Sequence, residues 1–267
     1  MLLDITILVL RETLEASVLF AVLLSIAAQA KLGAKWLFAG IVGGALMAAA
    51  YSTHFSAVSQ WFEYAGQEVL NSTLQFAICI SLLIISFWRL FMNLNTSQTF
   101  ILRMMFLVVV LALTRELTEL VIFYSGIIQA QGSWTNAVTG GFAGLTIGAS
   151  IGVLVFATID RLSLTFQMIV QVVLLALVAA GTVVQGIQLL MQVDWVSATS
   201  PVWDTNHLLA EVSITGQMFY AVFGYEATPT LLEVVFYWST ITIAFTALFV
   251  RVGRSQLTHL KERYANQ

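Results

Sequence analysis

The chain has 267 residues, 59% of them hydrophobic and only 9% charged, with a formal net charge of −3 and a mean hydropathy of +0.91. Soluble domains carry about 25% charged residues, so this composition excludes a soluble enzyme or a nucleic-acid-binding module and specifies an all-α integral membrane protein. One cysteine, Cys79, and two prolines leave no disulfide framework and no CxxC metal motif.

Seven segments reach the length of a spanning helix, about 20 residues: 3–29, 36–58, 69–93, 99–128, 134–158, 166–192 and 231–251. The first lacks a basic leader and a small-residue cleavage site, so it reads as a retained span. Its stretch LVLRETLEASVLF places Arg11, Glu12 and Glu15 in apolar surroundings. The second carries Gly40, Gly44 and Ala48 at intervals of four, a ridge that lets helix backbones approach closely. The third opens with QEVLN, residues 67–71. The fourth, VVVLALTRELTELVIFY, sets Arg115, Glu116 and Glu119 in the same relation as the first motif. Gly140, Gly144, Gly148 and Gly152 line the fifth, and Gln171, Gln185 and Gln188 on the sixth are expected to bond across helices. Residues 205–224 are too polar for a span and predict an interfacial helix that ends at Gly224. Trp61, Trp134, Trp195 and Trp203 fall at span ends, as an aromatic belt requires.

Orientation follows from the loops. Lys31, Lys35, Arg89, Arg103, Arg161, Arg251, Arg254, Lys261 and Arg263 all fall on one side, and the two remaining basic residues, Arg11 and Arg115, lie inside spans. The positive-inside rule makes that side cytoplasmic, with the N-terminus outside and the C-terminus inside. The opposite side holds Asp4, Glu63, Glu68, Asp194, Asp204, Glu211, Glu226 and Glu233 and no Lys or Arg, a field that concentrates cations. Motif span and small-residue span occur twice with three spans between copies, so the halves have opposite orientation. The expected architecture is a single membrane domain: a 3+3 inverted repeat (about 1–95 and 99–192), an outer loop with its helix (about 194–230), and a last span. Such folds hold their substrate at the repeat interface near the midplane.

On a helix, residues three and four apart share a face, so each motif forms one charged stripe. A charge inside the bilayer costs about 2.5–3.5 kcal/mol even on lenient scales, and six would cost roughly 15–20 kcal/mol if unpaired. They must face one another, water or a cation. Four carboxylates against two guanidinium groups leave a charge of −2, which a hard cation such as Fe³⁺, Mn²⁺, Mg²⁺ or Ca²⁺ would neutralise. On the residues alone, cation transport, proton-coupled transport of another divalent cation or small solute, and a structural ion-pair cluster all stay open. A di-iron enzyme site needs Glu-x-x-His pairs, and none of His54, His207 and His259 follows a helix glutamate at that spacing.

The paired Arg-Glu-x-x-Glu motifs resemble those of the iron permease family, oxidase-dependent iron transporters of bacterial and fungal membranes. QEVLN and the segment WDTNHLLAEVSITGQMFYAVFGYEATPTLLEV, residues 203–234, extend the likeness along nearly the whole chain; its shared positions are Asp204, Gly216, Gly224, Tyr225, Pro229 and Glu233. The resemblance implies a multi-pass permease of the bacterial cytoplasmic membrane and no catalytic residues. It implies iron (Fe³⁺ or Fe²⁺) as transported substrate rather than cofactor, and a separate periplasmic iron-oxidising or iron-binding partner. Glu12, Glu15, Glu116 and Glu119 would be the metal ligands, supported by Arg11 and Arg115. Glu63, Glu68, Asp204, His207, Glu211, Glu226 and Glu233 would collect the ion outside. The chain departs from the family pattern at Thr13, where glycine is usual, at Leu117-Thr118, and at Asn71, where a second glutamate is expected; bulk at Thr13 is expected to alter how closely the motif helices approach.

Overall fold

A computed structural model describes residues 2–92, 98–129 and 133–265, with the side chains of 254–265 outside the described set. The expected repeat boundary therefore falls on residues outside that set, as do the side chains of Arg254, His259, Lys261 and Arg263. Among the described residues there are nine α-helices, and the only β pairing is an isolated bridge between Pro201 and Thr230. The helices are α1 (Leu2–Gln29), α2 (Lys35–Thr53), α3 (Phe55–Ser59), α4 (Gly66–Phe91), α5 (Gln98–Gln129), α6 (Trp134–Asp160), α7 (Leu164–Gln192), α8 (Ile214–Phe223) and α9 (Leu231–Ala265).

Five of them, α2, α4, α6, α7 and α9, are long and apolar enough to cross a membrane. The other two expected spans, α1 and α5, have 28 and 32 residues; length suffices, and the charged motifs are what lower their apolar character. The expected second span divides at His54, whose ring Nδ1 lies 2.9 Å from the Ala50 carbonyl. Past it, the short α3 turns the chain, and Phe62, Glu63 and Tyr64 adopt positive φ. Helix ends follow local chemistry. Ser213 caps α8 by accepting from Gly216 N at 3.0 Å, and Gly224 ends it in the left-handed region with φ 65°. Thr230 and Glu233 form a capping box at the start of α9: Thr230 N donates to Glu233 Oε2 at 2.6 Å, and Glu233 N reaches Thr230 Oγ1 at 3.5 Å.

The two halves are interlocked. The glycine ridge of α6 lies on α1, not on its own motif helix α5, and that of α2 lies on α5. A Cβ built at Gly144 would stand 2.6 Å from the Thr6 carbonyl oxygen and 2.7 Å from Leu10 N, so glycine is what permits this backbone approach. Gly140, Gly144, Gly148 and Gly152 meet successively Ile5, Val9, Thr13 and Ser17, so α1 and α6 run parallel. Gly40 and Gly44 meet Val109 and Leu113 in the same sense, so α2 and α5 are parallel too. Ser17 Oγ fastens the first seam by donating to the Gly148 carbonyl at 2.9 Å. Thr13 packs on Gly148 of α6, so its bulk bears directly on that seam. The third pair, α4 and α7, runs antiparallel, with Ser72 donating to the Gly186 carbonyl at 2.8 Å. The main apolar core, drawn from α1, α4, α5 and α7 with a few residues of α2 and α6, fills the basic-loop half of the bundle.

Candidate functional site

Because α1 and α5 each wrap against the other half's ridge, their charged stripes turn toward one another. All six motif residues meet. Arg115 Nη1 lies 3.0 Å from Glu15 Oε2 of the opposite helix and 2.8 Å from Glu116 Oε1, and its Nε lies 3.1 Å from Glu119 Oε1. The mirror set is looser: Arg11 Nη2 to Glu12 Oε1 is 3.0 Å, Arg11 Nε to Glu15 Oε1 is 3.8 Å, and Arg11 Nη2 to Glu119 Oε2 is 3.9 Å. Each arginine thus spans its own motif and the other's last glutamate. Glu12 and Glu116, the equivalent members of the two motifs, interact directly with each other.

The pattern is symmetric and the environment is not. The Arg115 side chain is 7% exposed and hydrogen-bonds three carboxylates; that of Arg11 is 27% exposed. Oε2 of Glu12, Oε1 of Glu15, Oε2 of Glu116 and Nε of Arg11 are buried without a hydrogen-bond partner, and Oε1 of Glu12 meets only the Arg11 ion pair. Oxygens of that kind, beside a charge of −2, favour either a proton or a bound cation. Among the described residues no group of three or more His, Cys, Asp or Glu side chains is arranged to hold a metal. The guanidinium groups stand between the carboxylates.

Three neighbours complete the site, and the motifs alone do not point to them. Gln75 of α4, fully buried, lies 2.8 Å from Arg115 Nε and 3.1 Å from Nη1 with its amide oxygen facing the guanidinium. The same amide meets Gln185 of α7 at 2.7 Å, and Gln185 stands 3.5 Å from Glu15 Oε2. Tyr220 of α8 sets its ring 5.6 Å from the Arg11 guanidinium carbon, a cation–π contact. Its hydroxyl donates to Gln188 Oε1 at 3.1 Å. The depth of α8 comes from Gly224, whose backbone touches Gly181 in the middle of α7; a Cβ there would lie 2.5 Å from Gly181 Cα. The signal for Gln75 and Gln185 in the sequence is a glutamine inside an apolar span; Tyr220 has none.

The expected outer residues divide into separate groups, none within the six-residue cluster. Gln188 Nε2 donates to Glu226 Oε2 at 2.6 Å. Burial pushes the Glu226 carboxyl up to about 8, helped by a hydrogen bond to Glu211 and the charges of Glu211 and Glu233, and opposed by the Gln188 bond. Glu233 is buried and engaged in the capping box. Glu68 Oε2, Asn71 Oδ1 and the Tyr51 hydroxyl are buried without partners. Glu63, Asp204 and His207 are exposed, and Asp204 accepts from Asn206 N at 2.9 Å.

Residues 2–258 match the family model described as the iron permease FTR1 family. The chain belongs to that family. It is therefore a multi-pass membrane protein of a transporter family, with iron transport as the family's function. No curated protein and no solved structure matches the chain.

Proposed function

We propose that this permease carries iron across the cytoplasmic membrane into the cell through the paired Arg-Glu-x-x-Glu motifs of α1 and α5, after a separate periplasmic partner has oxidised Fe²⁺ to Fe³⁺. In this reading α1, α2, α4, α5, α6, α7 and α9 are the seven spans, the N-terminus is outside, and the basic loops face the cytoplasm. The observation that carries it is the meeting of both motifs in one buried cluster with a surplus of two negative charges. A structural pairing would balance its charges. The ion is collected by the outer carboxylates, with Glu226 bonded to Gln188 and Glu211 beside Glu226, and passes to the oxygens of Glu12, Glu15 and Glu116 that lack a hydrogen-bond partner. Arg11, more exposed than Arg115 and close only to Glu12, at 3.0 Å, is the guanidinium that yields to the cation. Arg115 stays and keeps the empty carboxylates from repelling one another.

Uptake of radioactive iron by purified protein in liposomes tests this. Glu12→Gln and Glu116→Gln are expected to lower uptake at least about tenfold while thermal unfolding in detergent shows a folded protein. Full uptake by both variants would overturn the proposal. Arg11→Lys separates a guanidinium role from a charge role; unchanged uptake argues against the former.

A further inference from the structure

A second polar layer lies in the half of the bundle that carries the basic loops. Sequence position alone makes Arg89 a loop-flanking cation. The structure corrects this: Arg89, on the last turn of α4, is 9% exposed. Its Nε donates to Gln171 Oε1 at 2.8 Å and its Nη2 donates to Gln29 Oε1. Gln171 donates in turn to Ser25 Oγ at 2.8 Å, and Gln29 donates to Gln167, which reaches the Asp160 carbonyl at 2.9 Å. Amides and a hydroxyl therefore join α1, α4 and α7 in one ring around a guanidinium. No carboxylate pairs with Arg89 among the described residues, and Arg251 of α9 adds a second positive charge within electrostatic reach.

The ring repeats the register of the carboxylate site. Gln29 stands fourteen residues beyond Glu15, Arg89 fourteen beyond Gln75, and Gln171 fourteen before Gln185. Fourteen residues are close to four whole turns, about 21 Å along each helix. The same faces of the same three helices thus build both layers. Between them the core is dry: Leu23, Ile26, Leu82, Ile85, Met105 and Leu175 are each 1% exposed or less. A cation leaving the carboxylates toward the basic loops must part this apolar zone and then the ring.

We infer that the Arg89–Gln29–Gln171 ring is the inner gate of the transporter, with Arg89 as the residue that both locks it and keeps cations from returning through it. The inference rests on the transport reading. Buried arginine without a carboxylate is costly, and a well-packed apolar side chain would hold the helices at least as well. What an apolar side chain lacks is a fixed positive charge across the exit and hydrogen bonds that break and re-form as helices move. Four turns above, α4 and α7 are also joined by Ser72–Gly186 and Gln75–Gln185. Among the described residues, α1 has polar links to α4 and α7 in the basic half only through this ring, so loosening it frees the inner end of α1.

The test uses thiol labelling. Cys79 is the only cysteine, so Cys79→Ser gives a background with none. Ile85→Cys then places a reporter one turn above Arg89 on the same face of α4, at a position that is fully buried. Oriented membrane vesicles are treated with a membrane-impermeant maleimide from either face. The reporter is expected to label slowly from both faces with Arg89 present. Arg89→Ala is expected to raise the rate from the basic-loop face about tenfold or more, with the rate from the acidic face unchanged. Gln171→Leu removes the ring bond and leaves the guanidinium, and it supplies the same readout where Arg89→Ala does not fold. Unchanged labelling in both variants overturns the gate, as does equal acceleration from both faces, which means general loosening. No iron is used, so this outcome is separate from uptake by the same variants, and a failed gate leaves the permease reading to its own assay.

Discussion

The two copies of one motif have become unlike parts. Arg115 is buried, hydrogen-bonded to Glu15, Glu116 and Glu119, and backed by Gln75. Arg11 touches the equivalent carboxylates more loosely and leans on the Tyr220 ring, on the side where α8 dips into the bundle. The charged positions of the two motifs are identical, so the difference comes from what surrounds each half. On α5 the cover is α4, a full-length helix; on α1 it is the ten-residue α8, seated by a glycine contact. A symmetric pair of motifs can thus serve as one fixed anchor and one movable arm.

The largest effect expected from this contrast is on stability. Arg115→Ala strands the buried carboxylates of Glu15 and Glu116 and the half-buried one of Glu119, and breaking a buried pair costs about 3–5 kcal/mol. Arg11→Ala removes a more exposed guanidinium and strands one fully buried carboxylate, Glu12, so it is expected to cost less than Arg115→Ala. Thermal unfolding in one detergent checks this, and equal losses would show that the halves are not distinct. Next come the seams. Gly144→Ala drives a methyl into the backbone of α1 and should cost about 1–3 kcal/mol. Gly40→Ala meets the Val109 side chain at 2.8 Å, where a rotamer change can relieve it, and should cost less. The reverse order would place the tighter seam on the other half. The smallest effect concerns the acidic approach. With its carboxyl raised to about 8, Glu226 is mostly protonated at neutral pH and gains its charge as pH rises through that value. Uptake of chelated iron at limiting concentration should increase between roughly pH 7 and pH 9. Glu226→Gln should flatten that increase by severalfold or less, and an unchanged profile removes Glu226 from the route.

The cluster was legible because a charge inside an apolar helix has so few explanations, and two copies at one spacing have fewer. Helix limits fall within five residues of the expected segments, save that α9 runs on to Ala265, since hydropathy and helix ends share a cause. The ridges were visible, but their partners were not: Gly144 shows only that something approaches closely, and that it is α1 and not α5 is a property of the assembled bundle. Arg89 misled for a related reason. A cation at the end of a span normally reaches toward water, and only the convergence of Gln29 and Gln171 from distant positions keeps it inside. Tyr220 carried no pattern at all, because its place depends on how deeply Gly224 lets α8 settle.

Swapped seams also set a timetable for biogenesis. The first helix leaves the ribosome with Arg11, Glu12 and Glu15, yet its closest packing partner, α6, ends at Asp160. At 5–20 residues per second that delay is on the order of ten seconds. For much of it the nascent helix has neither its glycine seam nor its cross-pairing arginine, and the insertion machinery or water must shelter the charges. Assembly of the permease is therefore completed from the second half backward, and a stalled or truncated chain would expose the very residues that the finished protein hides.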